Sequence, residues 1–297
     1  MTYDPDTNLL SGITYPSGHS FTFNYDQAGR RTQRVGEDGY TLNYHYDLAG
    51  RLESLTDGIG AELIHYEYDS TGRLVGESKG NGTYTTYTYD AAGQLTSLVN
   101  YAPGDSVQSR FDYTYDANGN RTSMTTLEGT TAYEYDLIGQ LTGVTYPGGR
   151  QVVYAYDAAG NRTTVSDNGT PTAYTTNNLN QYTQVGTVTY TYDDNGNMTT
   201  KTAAGGTTTY TYDYENRLVG VVEPGGNTWE YTYDALGNRV AVTHNGVETQ
   251  YVHDPIGLVD VAAEYTGGGA LAARYVHGLG LVSRVDAAGD PAYYAFD

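Results

Sequence analysis

The sequence predicts an all-β protein folded as a repetitive antiparallel meander of β-hairpins, and three observations indicate this class. The dipeptide Tyr-Asp recurs along the 297 residues at a nearly constant spacing. The chain contains 33 Tyr against 4 Phe and 1 Trp, together with 38 Gly. No stretch shows a sustained 3.6-residue apolar period with helix caps. Tyrosine and threonine favour pleated, half-buried strands and glycine favours the turns between them, so strands and turns account for the composition.

The repeat has thirteen units, twelve with a turn aspartate and one in which Asn177 takes that position. Most units are about 21 residues apart, a period typical of repeat architectures. The exceptions are a longer interval from Asp90 to Asp116 and a shorter one from Asn177 to Asp193. A full unit reads approximately Tyr-x-Tyr-Asp-x-x-Gly-[Arg/Asn/Gln]-[Leu/Arg]-Thr. The twelve turn aspartates are Asp4, Asp26, Asp47, Asp69, Asp90, Asp116, Asp136, Asp157, Asp193, Asp213, Asp234 and Asp254. The predicted structural positions are Tyr25, Asp26, Gly29, Tyr46, Asp47, Gly50, Tyr68, Asp69, Gly72, Tyr89, Asp90, Gly93, Tyr115, Asp116, Gly119, Tyr135, Asp136, Gly139, Tyr156, Asp157, Gly160, Tyr192, Asp193, Gly196, Tyr212, Asp213, Tyr233, Asp234 and Gly237.

Each position of the unit has a mechanical reason. Tyr-x-Tyr places two rings on one face of a strand, and neighbouring strands align such rings into ladders. Asp-x-x-Gly is typical of a type I turn, in which the carboxylate caps the turn and the last residue adopts a left-handed backbone, forming a bulge. Glycine fills that last position in ten of the thirteen units, and Asn180 and Asn216 fill two more. Thr7 is the one departure, in the first unit.

A second turn follows each return strand and joins one hairpin to the next. Such turns are predicted at Pro16–Gly18, Gly80–Gly82, Pro147–Gly149, Asp167–Gly169, Pro224–Gly226 and Asn245–Gly246. The result is a continuous meander of about 25 strands, roughly 120 Å long and 20 Å wide. A ribbon of that length must twist and curl, so we expect a spiral strip that forms part of a hollow β-shell or tube.

Composition excludes several classes of function. The formal charge is −20, from 15 Lys+Arg against 35 Asp+Glu, and this balance argues against binding to nucleic acid or to anionic lipid heads. No apolar run approaches the ~20 residues of a membrane-spanning helix. The chain has no Cys, which excludes disulfides, thiolate-bound metals and thiol nucleophiles.

The Tyr-x-Tyr-Asp-x-x-Gly-Arg-Leu units resemble the YD repeats of RHS-repeat proteins. That family includes bacterial RHS polymorphic toxins, cocoon components of insecticidal toxin complexes, bacterial wall-associated proteins and teneurins. The resemblance implies a strip wound into a hollow β-shell, which in toxin members encloses a C-terminal toxic domain released by aspartyl self-cleavage. The stretches 275–289 and 293–297 are similar to the segment that precedes the core-associated region of the family.

The chain departs from the family pattern at both ends. It stops at Phe296-Asp297, before the cleavage motif and any cargo domain, and it begins inside a repeat at Tyr3-Asp4. We therefore expect a segment of a larger protein, or the ordered part of one, and neither autoproteolysis nor toxicity is assigned to any residue. The predicted organisation is an array of about twelve hairpins over 1–250, followed by diverged terminal repeats over 251–297.

Residues with catalytic or ligand-binding chemistry have simpler explanations. The sequences at 4–8, 116–120 and 193–197 resemble calcium loops, but they lack the full ligand set and are interpreted as aspartate-capped turns; calcium remains the one cofactor alternative. His253 takes a tyrosine position in a strand, and no histidine shows a metal-binding spacing. The arginines that follow the turn glycine or asparagine are expected to pair with nearby carboxylates; they are Arg30, Arg51, Arg73 and Arg217. We predict no catalytic, cofactor or metal residues.

Three functions follow, in order of preference. The first is a non-enzymatic structural protein, extracellular or on the cell surface, that self-associates through open strand edges or continues in a longer chain. The second is the encapsulating segment of an RHS polymorphic toxin, with a C-terminal domain as its partner. The third is a carbohydrate-binding adhesin, because tyrosine rings can stack on the apolar faces of sugars.

Overall fold

The computed structural model describes residues 1–257 and 259–296. Over these ranges the chain forms 29 β-strands and one turn of 3-10 type, at Pro147–Gly149. The predicted all-β antiparallel meander is confirmed. In sequence, the chain stops at Phe296-Asp297. Asp297 lies outside the described residues. No helix in the described part of the chain is long and apolar enough to span a membrane.

The strands fall into two compact units. Unit 1 comprises residues 1–110 with 250–257 and 259–296, and unit 2 is Phe111–Thr249. In unit 1, the strands are β1 (Thr2–Tyr3), β2 (Leu10–Thr14), β3 (Ser20–Tyr25), β4 (Arg31–Gly36), β5 (Thr41–Tyr46), β6 (Leu52–Asp57), β7 (Glu62–Tyr68), β8 (Leu74–Lys79), β9 (Tyr84–Tyr89), β10 (Leu95–Tyr101), β26 (Asp260–Thr266), β27 (Leu271–His277), β28 (Leu281–Asp286) and β29 (Pro291–Tyr293).

Unit 2 continues the meander in chain order. Its strands are β12 (Arg121–Thr126), β13 (Gly129–Tyr135), β14 (Leu141–Thr145), β15 (Gln151–Tyr156), β16 (Arg162–Asp167), β17 (Thr170–Thr176), β18 (Tyr182–Val185), β19 (Val188–Tyr192), β20 (Met198–Ala203), β21 (Gly206–Tyr212), β22 (Leu218–Val222), β23 (Thr228–Tyr233) and β24 (Arg239–His244). The chain passes from unit 1 to unit 2 in β11 (Val107–Tyr115) and returns in β25 (Val247–Asp254). The sequence predicts a boundary at residue 250 between regular repeats and diverged repeats. The two compact units do not test how far the repeat sequences diverge, so that boundary stays a prediction.

The turn aspartates form the predicted bulged turns. The backbone N–H of Asp26 donates to the carbonyl oxygen of Arg30 at 3.0 Å, and that of Gly29 donates to the carbonyl oxygen of Asp26 at 3.0 Å. The register between β3 and β4 shifts by one residue between Asn24 and Tyr25, as a bulge requires. The first unit differs from the prediction, because Asn8, and not Thr7, has the positive φ of 58° and donates to the carbonyl oxygen of Asp4. Its loop is one residue longer, which is why the expected glycine is absent.

The left-handed backbone of these turns gives a direct prediction. Gly237 has φ 86°, whereas Gly205 has no positive φ, and a Cβ added at either position meets nothing within 4 Å. We expect Gly237→Ala to lower the free energy of unfolding by about 1–2 kcal/mol, because only there is the backbone left-handed. The matched Gly205→Ala variant should stay near the wild-type value. Chemical denaturation measures both, and equal losses would contradict the conformational explanation.

Unit 1 contains two hydrophobic clusters in which its N-terminal strands pack face to face on its C-terminal strands. The first joins β5, β6 and β7 to β27 and β28 through Leu42, Tyr44, Leu55, Leu63, Ile64, Tyr66, Val276, Val282 and Val285. The second joins β2 and β3 to β25 and β26 through Ile13, Phe21, Phe23, Val252, Ala262, Ala263 and Tyr265. We call residues 250–257 and 259–296 the C-terminal layer. Each large apolar side chain buried in these clusters stabilises the unit by about 1.5–3 kcal/mol.

Unit 2 is stabilised mainly within its sheet. Only a few of its apolar side chains, such as Val144 and Val152, are buried. Threonines bond across neighbouring strands, as between the hydroxyls of Thr191 and Thr200 at 2.6 Å and of Thr125 and Thr130 at 2.9 Å. Such cross-strand pairs contribute about 0.2–1 kcal/mol each. Apolar side chains are therefore buried between two layers in unit 1, whereas unit 2 depends mainly on contacts between neighbouring strands of its sheet.

Candidate functional site

The repeated corner of each hairpin joins an aspartate to the residue four positions later. In the second full copy, Oδ1 of Asp47 accepts the backbone N–H of Arg51 at 2.9 Å and Oδ2 accepts Nε of Arg51 at 2.7 Å. Where asparagine replaces arginine the amide makes the same contact, as from Nδ2 of Asn120 to Oδ2 of Asp116 at 2.9 Å. The predicted ion pairs are confirmed for Arg30, Arg51, Arg73 and Arg217. The candidate loops at 116–120 and 193–197 therefore use their carboxylates to cap turns, and calcium stays an untested alternative.

Nine of the corners are also tied to the unit before them. The hydroxyl of the second tyrosine donates to a backbone carbonyl of the preceding unit, as from Tyr68 to Leu52 at 2.7 Å. The arginine of that preceding corner lies over the same ring, with the Arg51 guanidinium 4.4 Å from the Tyr68 centroid. The same hydroxyl contact to the preceding unit is made by Tyr25, Tyr46, Tyr89, Tyr135, Tyr156, Tyr192, Tyr212 and Tyr233. These predicted tyrosines thus join consecutive units.

The first tyrosine of each unit lies on what we call the tyrosine face. In unit 1 its residues Phe23, Tyr44 and Tyr66 are buried under the C-terminal layer, with exposures of 4%, 6% and 3%. In unit 2 the equivalent Tyr113 is also buried, whereas the six side chains that follow it along the ladder are half-buried; they are Tyr133, Tyr154, Tyr174, Tyr190, Tyr210 and Tyr231. The ladder of aromatic rings is therefore covered by protein at Phe23, Tyr44 and Tyr66 and is less buried from Tyr133 to Tyr231.

The polar contacts that hold the C-terminal layer were not predicted. Asp254, counted in sequence as the last turn aspartate, lies 2.6 Å from Nη1 of Arg31 and 3.0 Å from Nη1 of Arg34. Asp254 and Arg34 are 4% and 3% exposed, so this charge cluster is buried inside unit 1. Nothing in the local pattern identifies its partners, because they lie near the opposite end of the sequence.

Further contacts extend along the same layer. The hydroxyl of Tyr66 accepts the backbone N–H of Leu279 at 3.0 Å, and Nε of Arg274 donates to Asp38 at 2.9 Å. The hydroxyl of Tyr15 donates to the carbonyl oxygen of His253. Burial raises the pKa of Tyr66 far above its ordinary value of 10.0, so the phenol stays protonated. His253 itself is buried in β25, in the strand position that the sequence predicts.

The turn aspartates make stability depend on pH. The Thr71 hydroxyl, followed by the Arg73 backbone N–H, holds the pKa of Asp69 far below its ordinary value of 3.8. The pKa is lowered at Asp4, Asp26, Asp47, Asp69, Asp116, Asp157, Asp193 and Asp213. Because the unfolded chain then binds more protons, this stabilisation is present above the ordinary pKa and is lost as pH falls through the lowered values.

We therefore expect the free energy of unfolding to be nearly flat above about pH 5 and to decline below about pH 4. Urea denaturation from pH 2 to pH 6 measures this dependence. Asp69→Asn removes one titrating carboxylate and should make the decline shallower. An unchanged slope in that variant would contradict a role for its carboxylate.

Comparisons with known proteins place these features in a family. The RHS Repeat family profile matches residues 3–41, 46–84, 68–106, 135–172, 192–228 and 212–246, which together span more than half of the chain. No curated protein matches it. Several solved structures that contain TcdB2-TccC3 are similar to this chain. A crystal structure of TcdB2-TccC3-Cdc42 has a TM-score of 0.59 at 17% identity, covering 92% of this chain and 17% of that one.

Two further solved structures agree in fold. The Photorhabdus luminescens Tc holotoxin pore with mutated TccC3 has a TM-score of 0.55 at 16% identity, covering 90% of this chain and 18% of that one. The crystal structure of TcdB2-TccC3 gives 0.55 and 16%, covering 89% and 18%. The chain thus spans less than a fifth of the length of these solved chains. Their likeness shows a shared fold, and the family match along the repeats shows that the chain belongs to the RHS repeat family.

Proposed function

We propose that this chain is a wall segment of a hollow RHS shell, with the tyrosine face directed inward against an enclosed polypeptide. The observation that carries the proposal is the packing of the C-terminal layer on the tyrosine face of unit 1. That face already accepts protein against it, through apolar burial and through backbone contacts such as that between Leu279 and Tyr66. The same ladder in unit 2 offers half-buried rings to a second polypeptide.

Three finer statements belong to the same proposal. The role is structural and not enzymatic, since the repeated residues are used in turns and inter-unit bonds. The location is extracellular or at the cell surface, and the solved chains of similar fold are parts of toxin complexes. The exposed edge strand β1 (Thr2–Tyr3) supports continuation of the sheet by an added strand, which electron microscopy of the native particle would reveal as a longer wall or a filament.

The absence of cysteine allows the inward direction to be tested. Tyr210 lies on the tyrosine face, and the exposed Thr211 follows it on the opposite face of β21. In the full-length native protein, the Thr211→Cys variant should react quickly with a bulky maleimide and the Tyr210→Cys variant at least about tenfold more slowly, because strand neighbours point to opposite faces. In denaturant the two rates should match. Equal rates in the native protein would reject an enclosed tyrosine face.

A further inference from the structure

The two faces of unit 2 carry opposite charges. Its tyrosine face has a cationic side chain in every fourth strand from β12 to β24, and we call this set the cation row: Arg121, Arg162, Lys201 and Arg239. The opposite face carries Glu134 in β13 and Glu230 in β23. On the tyrosine face of strands β12 to β24, all of them described, the one acidic residue is Asp167, which is paired with Arg150 at 2.6 Å. This face is therefore positive, although the whole chain has a formal charge of −20.

Contacts with the aromatic ladder place the cation row on the tyrosine face. Each of its three arginines directly follows the corner residue of a turn and stacks on the ladder ring of the same hairpin. The distances to the ring centroid are 4.4 Å for Arg121 over Tyr113, 4.8 Å for Arg162 over Tyr154 and 5.4 Å for Arg239 over Tyr231. Lys201 lies opposite Tyr190 in the antiparallel pair β19–β20, and such opposite residues share a face. A guanidinium stacked on a ring keeps the N–H donors of its edge for an anion.

Unit 1 shows what an arginine at this position contacts when the tyrosine face is covered. Arg31 directly follows the corner residue Arg30 and lies 6.0 Å from the centroid of the ladder ring Phe23, so it is equivalent to the arginines of the cation row. Its Nη1 lies 2.6 Å from Oδ2 of Asp254, which belongs to the C-terminal layer. The polypeptide that covers the tyrosine face of unit 1 thus presents a carboxylate at this position of the repeat.

The equivalent position in unit 2 has no such carboxylate from the wall itself. Within residues 1–257 and 259–296, neither Arg121 nor Arg162 forms an ion pair. Arg121 and Lys201 are exposed, and Arg162 is half-buried. An uncharged polypeptide laid over this face would leave these cations desolvated and unpaired, which is unfavourable. Carboxylates on the covering polypeptide would remove that cost, as Asp254 does for Arg31.

We propose that the polypeptide enclosed against unit 2 is acidic and presents aspartate or glutamate side chains to the cation row. This inference rests on the proposed function and adds the charge of the partner to it. Cations four strands apart are separated by about 19 Å along the sheet, which about six extended residues can span. Carboxylates at that spacing would match the row. Nucleic acid suits the face less well, because the acidic chain around it repels phosphates and because the anion on the equivalent Arg31 is a polypeptide carboxylate.

The test is carbodiimide coupling in the full-length native protein, which joins a lysine amine to a carboxylate in contact with it. We expect Lys201 of the wild type, and the lysine introduced by Arg121→Lys, to be linked to an aspartate or glutamate outside residues 1–297, as located by mass spectrometry. The matched control is Ala155→Lys, at an exposed position on the opposite face of β15. It should give at least about tenfold less of this product, because strand neighbours point to opposite faces. Arg31→Lys is the positive control, since its lysine should be linked to Asp254.

A second reagent separates this inference from the proposed function. If the tyrosine face is enclosed, a bulky amine reagent should modify Lys201 and the Arg121→Lys variant slowly and Ala155→Lys quickly. Slow modification without a link to a carboxylate outside residues 1–297 would reject the acidic partner and leave the enclosed face standing. Modification as fast as at Ala155→Lys would reject both proposals. A link to nucleic acid, or only to carboxylates within residues 1–297, would also overturn the inference. Melting curves show whether each variant is folded, and Lys201 needs no substitution.

Discussion

Replacing Asp254 with alanine is expected to lower the free energy of unfolding by about 3–5 kcal/mol, the typical cost of removing one partner from a buried ion pair. The carboxylate accepts from both Arg31 and Arg34, and the side chains of Arg34 and Asp254 are only 4% and 6% exposed. Without it, two guanidinium groups lie close together inside unit 1. Chemical denaturation with wild type in parallel measures the loss.

The matched control is Asp157→Ala, which removes a turn aspartate of the same repeat position in unit 2. Its carboxylate caps only its own turn, accepting from the backbone of Asn161 at 2.8 Å and from the Asn161 side chain at 3.0 Å. The loss in this variant should be much smaller than that in Asp254→Ala. If both substitutions cost the same, Asp254 would be one more turn cap and the buried cluster would not stabilise unit 1.

The second large effect is expected at Tyr66, whose truncation to alanine should cost about 3–5 kcal/mol, as for other buried aromatic side chains. Tyr66 is 3% exposed and packs in the cluster that joins β5, β6 and β7 to β27 and β28. Tyr66→Phe keeps the ring and loses only the bond from the Leu279 N–H, so it should cost about 1 kcal/mol. Unfolding titrations of the two variants separate packing from hydrogen bonding.

Tyr210→Ala is the control for position in the repeat. Tyr210 occupies the same place in its unit as Tyr66 but is half-buried in unit 2. A smaller loss there would show that the C-terminal layer, and not the repeat itself, makes Tyr66 important. Equal losses at the two positions would instead indicate that the ladder stabilises every unit alike.

The turns were predictable because their causes are local. Asp26 and Gly29 lie three residues apart, and the requirements of a bulged turn can be read from such a short stretch. The exception shows the limit of that method. Thr7 occupies the expected glycine position in sequence, yet the loop extends by one residue and Asn8 adopts the left-handed backbone. Local spacing gives the kind of turn but does not fix its length.

The face-to-face packing of unit 1 could not be predicted in the same way. Arg30 and Arg31 are adjacent and chemically identical, but Arg30 pairs with Asp26 of its own turn and Arg31 pairs with Asp254. The second contact depends on where the chain returns after passing through unit 2. The repeat sequence does not reveal which arginine pairs within its turn and which pairs with a distant strand, since each hairpin resembles its neighbours in sequence whether or not another layer covers it.

The bond from the second tyrosine of a repeat to a carbonyl of the preceding unit, made by nine tyrosines, has an evolutionary consequence. Because Tyr68 contacts Leu52, and Tyr89 contacts Leu74 in the same manner, a hairpin needs only its immediate neighbour as a template. Arrays with nearest-neighbour interfaces gain or lose stability roughly one unit at a time. Tandem duplication of about 21 codons would therefore insert a hairpin whose hydroxyl and carbonyl are satisfied at once. Genes of this kind can change length by recombination, because an added repeat makes the same contacts as the repeats beside it.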